Sequence, residues 1–142
     1  MSAVPYAAAG VVMYWWGKHS DRSQERRAHA GIAAVFGATA LSVSLLANSP
    51  TVNMVGFTLF AVGLYCAISV FWTIPATLTT GLQAATAIAL VNSIGNLSGF
   101  FAPMFTGRLY VHTGSHRISF FVIALVVAAA GLGLSLSTDA GT

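Results

Sequence analysis

The sequence predicts an all-α protein that crosses a lipid bilayer several times, a polytopic transmembrane helix bundle. Hydrophobic residues make up 56% of the 142 residues and charged residues only 6%, whereas roughly a quarter of the residues in a soluble domain are charged. No Asp, Glu, Lys or Arg occurs between Arg27 and Arg108. That stretch is long enough for three crossings of about 20 residues each. The apolar side chains therefore require lipid as their solvent.

Five apolar segments follow one another along the chain. The last four are each long enough to span a hydrocarbon core of about 30 Å, whereas the first, of roughly 14 residues, is too short to cross alone. The segments are apolar on all sides, so helices are expected rather than the alternating strands of a membrane barrel. We therefore expect one transmembrane domain, 1–142, with four full spans and a shortened N-terminal span: 3–16, 30–47, 53–74, 84–105 and 118–136.

The connections between these segments are short. A tight turn is expected at 48–51, a link at 75–81, and a longer connection at 107–117 in which Gly114 supplies a turn. Gly17 is expected to end the first helix, and an Asp-Arg pair follows it at the membrane surface.

Basic residues are concentrated in one place, since four of the six Lys and Arg residues lie between positions 18 and 27. Apolar segments bound this loop, unlike the basic faces that bind nucleic acid, so no nucleic-acid partner is expected. The excess of basic residues favours a cytoplasmic loop. Alternation of the spans then places the C-terminus in the cytoplasm as well.

No catalytic set, metal site or cofactor motif is apparent, and we expect a protein that is not an enzyme. Cys66 has no neighbouring basic residue to activate its thiol. His112 and His116 have the spacing of metal ligands on a helix, but Gly114 lies between them and no carboxylate accompanies them.

The basic loop carries a more specific pattern, in which a glycine is followed by an Asp-Arg pair and then by two arginines that open the next helix. Asp21 can accept hydrogen bonds from Arg26 or Arg27 and from free N–H groups at a helix start. Such a set can hold two helices together at one face and release them when that face opens. The residues are Gly17, Asp21, Arg22, Arg26 and Arg27.

This loop resembles the G-x-x-S/A-D-R-x-x-x-R-R/K signature of the major facilitator superfamily. The later segments 71–75 and 89–103, with Gly81 between them, resemble the tenth and eleventh helices of the anion:cation symporter branch, which includes tartrate and phthalate transporters. The resemblance covers nearly the whole chain, in order. It implies the C-terminal portion of a twelve-helix fold, from helix eight to helix twelve.

The resemblance also implies a function. Members of this branch are secondary transporters, in which two halves rock about a site near the membrane midplane. The expected substrate is a small organic anion of the tartrate, dicarboxylate or sugar-acid type, coupled to a proton or another cation. The expected location is the bacterial inner membrane, with the missing N-terminal half of the transporter as a partner.

Polar residues within the spans are the candidates for substrate binding, because polar groups in lipid are costly unless they face a partner or a cavity. Asn92 and Asn96 share one helical face, and hydrogen bonding between helices is the alternative role for both. The resemblance places Asn92 and Trp72 in the central cavity, although Trp72 also suits the membrane interface. Ser69 can instead bond back to its own helix, and Tyr6 can serve in packing.

Two other functions compete with transport by this chain. The first is a truncated remnant or an accessory half that transports nothing alone, because the resemblance leaves helices one to seven without a counterpart. The second is a membrane-embedded enzyme, which would need a nucleophile or metal ligands clustered at one depth. The sequence provides no such cluster.

Overall fold

A computed structural model describes residues 3–23, 25–47, 49–74 and 80–137 of the chain. All regular structure within these ranges is helical. Four of the five helices are long and apolar enough to cross a membrane, which confirms the prediction of an all-α polytopic bundle. The helices are α1 (Ala3–Ser23), α2 (Arg26–Leu46), α3 (Pro50–Phe71), α4 (Gly81–Thr113) and α5 (His116–Leu136).

The first helix, α1, is the one that falls short of a full span. Its 21 residues would reach about 30 Å, so length is not the reason. Its second half holds Lys18, Asp21 and Arg22, and these charged groups make that half too hydrophilic for the hydrocarbon layer.

The expected end of α1 at Gly17 is wrong, because the helix continues through Gly17 to Ser23. A glycine costs roughly 1 kcal/mol of helix stability relative to alanine, which is too little to stop a helix by itself. Among the described residues, the glycines with positive φ are Gly81 and Gly114. Arg22 in the last turn also interacts favourably with the negative end of the helix dipole.

The connection expected at 107–117 is shorter than predicted. Helix α4 runs through Gly107 to Thr113, and Gly114 ends it in the left-handed conformation with φ of 66°. Ser115 then precedes α5. The polar residues of this region therefore belong to helix ends, and a two-residue turn suffices.

The turn between α2 and α3 is close to the prediction. Pro50 occupies the first turn of α3, where its missing N–H is not needed. Asn48 lies outside the described residues.

Most of the expected link at 75–81 also lies outside the described residues. Its last part is described, with Thr80 extended and Gly81 at φ of 59° as the first residue of α4.

Helix α2 is the centre of the bundle, since it packs along both α3 and α5. Helix α1 packs mainly on α3 and touches α2 only slightly. Within the described ranges, α4 approaches α5 alone and has no buried residue. The bundle is therefore three packed helices with α1 on one side and α4 attached by its C-terminal part.

Glycines allow α2 and α3 to approach closely. A Cβ atom added to Gly63 of α3 would lie 2.6 Å from the carbonyl oxygen of Ala33 and 2.8 Å from the Cα of Gly37, both on α2. Those are backbone atoms, which cannot move aside cheaply. Small residues at helix interfaces are typical of membrane bundles, where van der Waals packing drives association.

A glycine also allows α2 and α5 to approach closely. A Cβ atom on Gly131 would lie 2.9 Å from the Cβ of Ala34 and 2.9 Å from the carbonyl oxygen of Gly31. Towards the other end of α2, the buried Leu41 belongs to an apolar cluster against which Phe57 and Phe120 pack. These two rings meet edge to face, with centroids 4.9 Å apart.

Helix α4 is held to α5 by a few contacts near their shared turn. The Ser119 hydroxyl donates to the carbonyl oxygen of Thr106 at 3.2 Å. The rings of Tyr110 and His116 stack with centroids 3.9 Å apart. The part of α4 before these contacts extends away from the described bundle.

Substitution of Gly63 tests the close packing of α2. We expect Gly63→Ala to lower the free energy of unfolding by about 1–3 kcal/mol, because the added methyl group overpacks a backbone contact. The measurement is unfolding of the protein in detergent micelles. Gly133→Ala is the matched control, because nothing lies within 4 Å of a Cβ at that position. Equal stability of the two variants would contradict the packing described above.

Candidate functional site

An ion pair joins the end of α1 to the start of α2. The Arg26 Nη2 donates to the Asp21 Oδ1 at 3.4 Å, so the two residues lie on opposite sides of the connection between the helices. The Asp21 side chain is 61% exposed and that of Arg26 is 24% exposed. The length and exposure of the pair mean that it can break and form again at small cost.

The other residues of the basic loop occupy different positions around this ion pair. Gly17 lies inside α1, and Arg22 is exposed in its last turn. Arg27 lies in the first turn of α2 with a partly buried side chain. The prediction that arginines open the second helix and that one of them pairs with Asp21 agrees with this geometry. A role of these residues in gating stays a prediction.

An aromatic cluster next to the ion pair was missed at the sequence level. The centroid of the His29 ring on α2 lies 5.3 Å from that of the His19 ring and 5.6 Å from that of the Trp16 ring. Both His19 and Trp16 are on α1. The Nδ1 of His29 is 2.8 Å from the carbonyl oxygen of Glu25. A carbonyl only accepts hydrogen bonds, so this ring nitrogen carries the proton. The spacing of Trp16 and His19 on one helical face was the available signal.

Buried polar atoms also concentrate at the junction of α1 and α2. Within the described ranges, the Ser20 hydroxyl, the Trp16 Nε1 and the Arg26 Nε are buried and have no hydrogen-bond partner. Ser20 is 1% exposed. A buried polar group without a partner destabilises the folded state, so this junction is less firmly held than the glycine contacts of α2.

Two predicted binding residues lie near the end of α3. The Ser69 hydroxyl donates to the carbonyl oxygen of Cys66 at 2.8 Å, which is the alternative role considered for this serine. Trp72 caps the helix, is 36% exposed, and meets Phe71 edge to face with ring centroids 5.8 Å apart. The exposed indole is available for contact with a molecule outside the described bundle.

Asn92 and Asn96 are exposed on α4. The described residues provide neither amide with a hydrogen bond, so each can still donate to a ligand or to another helix. Because α4 does not approach α3 within the described part of the chain, the structure does not bring these asparagines together with Trp72 and Ser69. A shared cavity of these residues stays a prediction.

Tyr6 lies on α1, far along the chain from the other candidates. Its side chain is 61% exposed, and its ring meets that of Tyr65 on α3 edge to face with centroids 6.0 Å apart. This contact supports a packing role between α1 and α3. The exposed part of the ring remains accessible for contact with a substrate.

A cavity of about 490 Å³ opens between α2, α3 and α5, and it does not suit an anion. Its walls are apolar, with residues such as Ala34, Ile68 and Leu134, and the hydroxyl of Ser137 is the polar side chain among them. A carboxylate in such a place would lose its hydration without gaining a charged partner. No group of three or more potential metal ligands occurs among the described residues.

Comparison with known proteins gives several relatives over nearly the full chain. A protein of Agrobacterium vitis named as a tartrate transporter is 36% identical over 141 residues, which are 99% of this chain and 33% of the relative. A quinolone resistance transporter of Acinetobacter baumannii is 32% identical over 127 residues, 89% of this chain and 29% of the relative. NicT of Pseudomonas putida, named as a metabolite transport protein, is 32% identical over 125 residues, 87% of this chain and 29% of the relative.

The chain thus spans about a third of the length of these relatives. No protein-family model matches it, and no solved structure matches it significantly.

The apolar helices and these relatives together define the class: the chain is a multi-pass membrane protein whose relatives are transporters. It corresponds to part of a larger transporter of the major facilitator type. The names of the relatives describe transporters and no enzyme, which confirms the expectation that the chain is not an enzyme.

A double-mutant cycle tests the strength of the Asp21–Arg26 ion pair. We expect the coupling between Asp21→Asn and Arg26→Gln to be below about 1 kcal/mol, because the pair is long and the Asp21 carboxylate is mostly exposed. The measurement is unfolding of the protein in detergent micelles at low salt and at 1 M salt, where the coupling should shrink. Asp21→Asn combined with Arg108→Gln on α4 should show no coupling. A salt-independent coupling above about 2 kcal/mol would overturn this account.

Proposed function

We propose that this chain is part of a secondary transporter of the bacterial inner membrane that moves a small organic anion by alternating access, coupled to a proton or another cation. The substrate is of the tartrate, dicarboxylate or sugar-acid type. The observation that carries the proposal is the match to a relative named as a tartrate transporter, at 36% identity over 99% of the chain. The motif of the α1–α2 loop supports the same proposal.

The asparagines of α4 provide suitable chemistry for such a substrate. Each amide offers two N–H donors, which can bind a carboxylate or hydroxyl without adding a charge. Asn92 and Asn96 are exposed on a helix long enough to cross the membrane. An amide in contact with lipid would be unfavourable, so this face is expected to border a water-filled cavity or another part of the transporter.

Trp72 and Ser69 provide a second part of the proposed cavity. The indole of Trp72 offers an apolar face and one N–H donor. The Ser69 hydroxyl donates its proton to the carbonyl oxygen of Cys66, and its oxygen can still accept a hydrogen bond. We propose that a substrate meets these residues and the asparagines of α4 in the assembled transporter.

The junction of α1 and α2 is the proposed gate. A rocking transporter needs a contact that holds one face closed and opens in each cycle. The long pair of Asp21 and Arg26, whose carboxylate is exposed, has this property, because its contribution to stability is small. A buried pair at the same place would be far more costly to separate.

An accessory role is a second candidate for the chain on its own. The exposed face of α4, which lacks buried residues in the described structure, favours it. Such a face would be covered, or would border a cavity, only with further protein present. In that case the chain would contribute to transport as one component and would not transport alone.

Uptake measurements test the proposed substrate site. The test uses the complete transporter polypeptide that contains this chain. We expect Asn92→Ala and Trp72→Ala each to reduce uptake of labelled tartrate or a related dicarboxylate by at least tenfold. Each variant removes a donor whose hydrogen bond to the substrate contributes about 1.4 kcal/mol or more. The assay uses proteoliposomes with equal amounts of inserted protein.

Ser93→Ala is the matched control for the asparagine. Ser93 is an exposed neighbour whose hydroxyl already donates to Ala89 at 2.8 Å, so uptake should be retained. Normal uptake by both the Asn92 and the Trp72 variant would refute the cavity assignment. The accessory role predicts no uptake by the chain reconstituted alone, so uptake by the chain alone would exclude that role.

Substitution of Asp21 tests the gate separately. Asp21→Asn should slow conformational cycling, seen as a lower maximal uptake rate, more than it weakens substrate binding. The reason is that Asp21 lies at the helix junction and not among the proposed binding residues. Substrate affinity is measured by equilibrium binding to the same preparation. Reduced affinity at an unchanged maximal rate would count against a gating role.

A further inference from the structure

One face of the second half of α1 is basic and exposed. Trp15, Lys18, His19 and Arg22 are spaced so that they share this face. Together they line a small open cavity of about 170 Å³, and no acidic side chain among the described residues contributes to its walls. We call these four residues the basic face of α1.

The positive charge of the basic face is not neutralised within the described part of the chain. Lys18 and Arg22 form no ion pair there. The nearest carboxylate in sequence, that of Asp21, is directed towards Arg26 of α2. Two full positive charges and an imidazole therefore surround a cavity that is open on its outer side.

The order of residues along this face matches the layers of a bilayer. Val11 is 64% exposed and Trp15 is 65% exposed, one turn further along the same stripe of α1. Lys18 and Arg22 follow. A helix that leaves the hydrocarbon core presents apolar residues first, then an aromatic residue at the interface, and then basic residues at the headgroups. Lys18 and Arg22 are separated by about 6 Å along the axis, comparable to a headgroup layer of roughly 5–8 Å.

We propose that the basic face of α1 binds the phosphate of an anionic phospholipid. Arg22 offers a planar fork of donors that suits phosphate oxygens, and Lys18 adds a compact positive charge. His19 contributes a ring N–H, and Trp15 packs at the level of the glycerol backbone. The lipid is favoured over a protein partner because the exposed Trp15 and the unneutralised charges lie in the order that a membrane surface requires.

This site is separate from the proposed substrate residues, since none of its four side chains is among them: Tyr6, Ser69, Trp72, Asn92 and Asn96. It therefore does not depend on the identity of the transported anion. Its ligand is part of the surrounding bilayer, and the negative surface of an anionic leaflet attracts basic residues next to a membrane span.

Native mass spectrometry of the complete transporter polypeptide tests the site. Retention of dioleoyl phosphatidylglycerol is compared with retention of dioleoyl phosphatidylcholine. We expect Lys18→Gln/Arg22→Gln to weaken phosphatidylglycerol binding about 30-fold, from the usual attraction of two basic residues to an anionic surface. Binding of phosphatidylcholine should not change.

Arg108→Gln/Arg117→Gln is the control, because it removes the same charge at another helix pair and should leave phosphatidylglycerol binding intact. Equal loss in both double variants, or no loss in either, would overturn the proposal. Inorganic phosphate at millimolar concentration should not displace the lipid. Displacement would identify a site for a free anion instead and would also overturn it.

Tryptophan fluorescence gives an independent readout that does not depend on the charge variants. Brominated phosphatidylglycerol in vesicles should quench the emission of the unmodified protein more than that of Trp15→Phe. Brominated phosphatidylcholine should produce a smaller difference between the two proteins. If the two proteins are quenched equally, the basic face is covered by another part of the transporter and the lipid site does not exist.

Discussion

The arrangement of the bundle depends on the close approach of α2 to its two neighbours. Between apolar helices in lipid there is little hydrophobic driving force, so association relies on van der Waals contact and on a few polar contacts. Gly63 and Gly131 remove the side chains that would hold α3 and α5 away from α2. With side chains there, the backbones would have to move apart, and the apolar clusters around Leu41 and Ala34 would pack less closely.

The functional features lie where this tight packing ends. Helix α1 is supported mainly by α3, and it meets α2 at the ion pair of Asp21 and Arg26 and at the rings of His19 and His29. Helix α4 is attached only near its C-terminal turn in the described structure. A rigid centre with loosely held helices beside it suits a protein that must change which face is open, because the movable contacts can break while the glycine contacts persist. The same exposure leaves the basic face of α1 free to meet the membrane surface.

Much of the fold could be predicted from the sequence, because hydropathy reports directly on lipid burial and the uncharged stretch before Arg108 leaves no alternative to membrane helices. Helix ends were less predictable. Gly17 and Gly107 look like helix ends by propensity, but the helices continue through both. The contact of His19 with His29 depends on how two helices meet, which spacing along one helix does not reveal. For the same reason, the sequence placed Asn92 on one helical face but did not predict that α4 lies apart from α3.

A disulfide cross-link tests the central position of α2 most directly. A Cβ at position 131 would lie 2.9 Å from that of Ala34, so sulfur atoms there can bond after a shift of about 1 Å to the usual Cβ separation near 3.8 Å. In a Cys66→Ala background, Ala34→Cys with Gly131→Cys should form the bond in membranes under mild oxidation, identified by mass spectrometry of the linked peptides. Ala34→Cys with Gly95→Cys on α4 should not. Absence of the first bond, or equal formation of both, would contradict a bundle centred on α2.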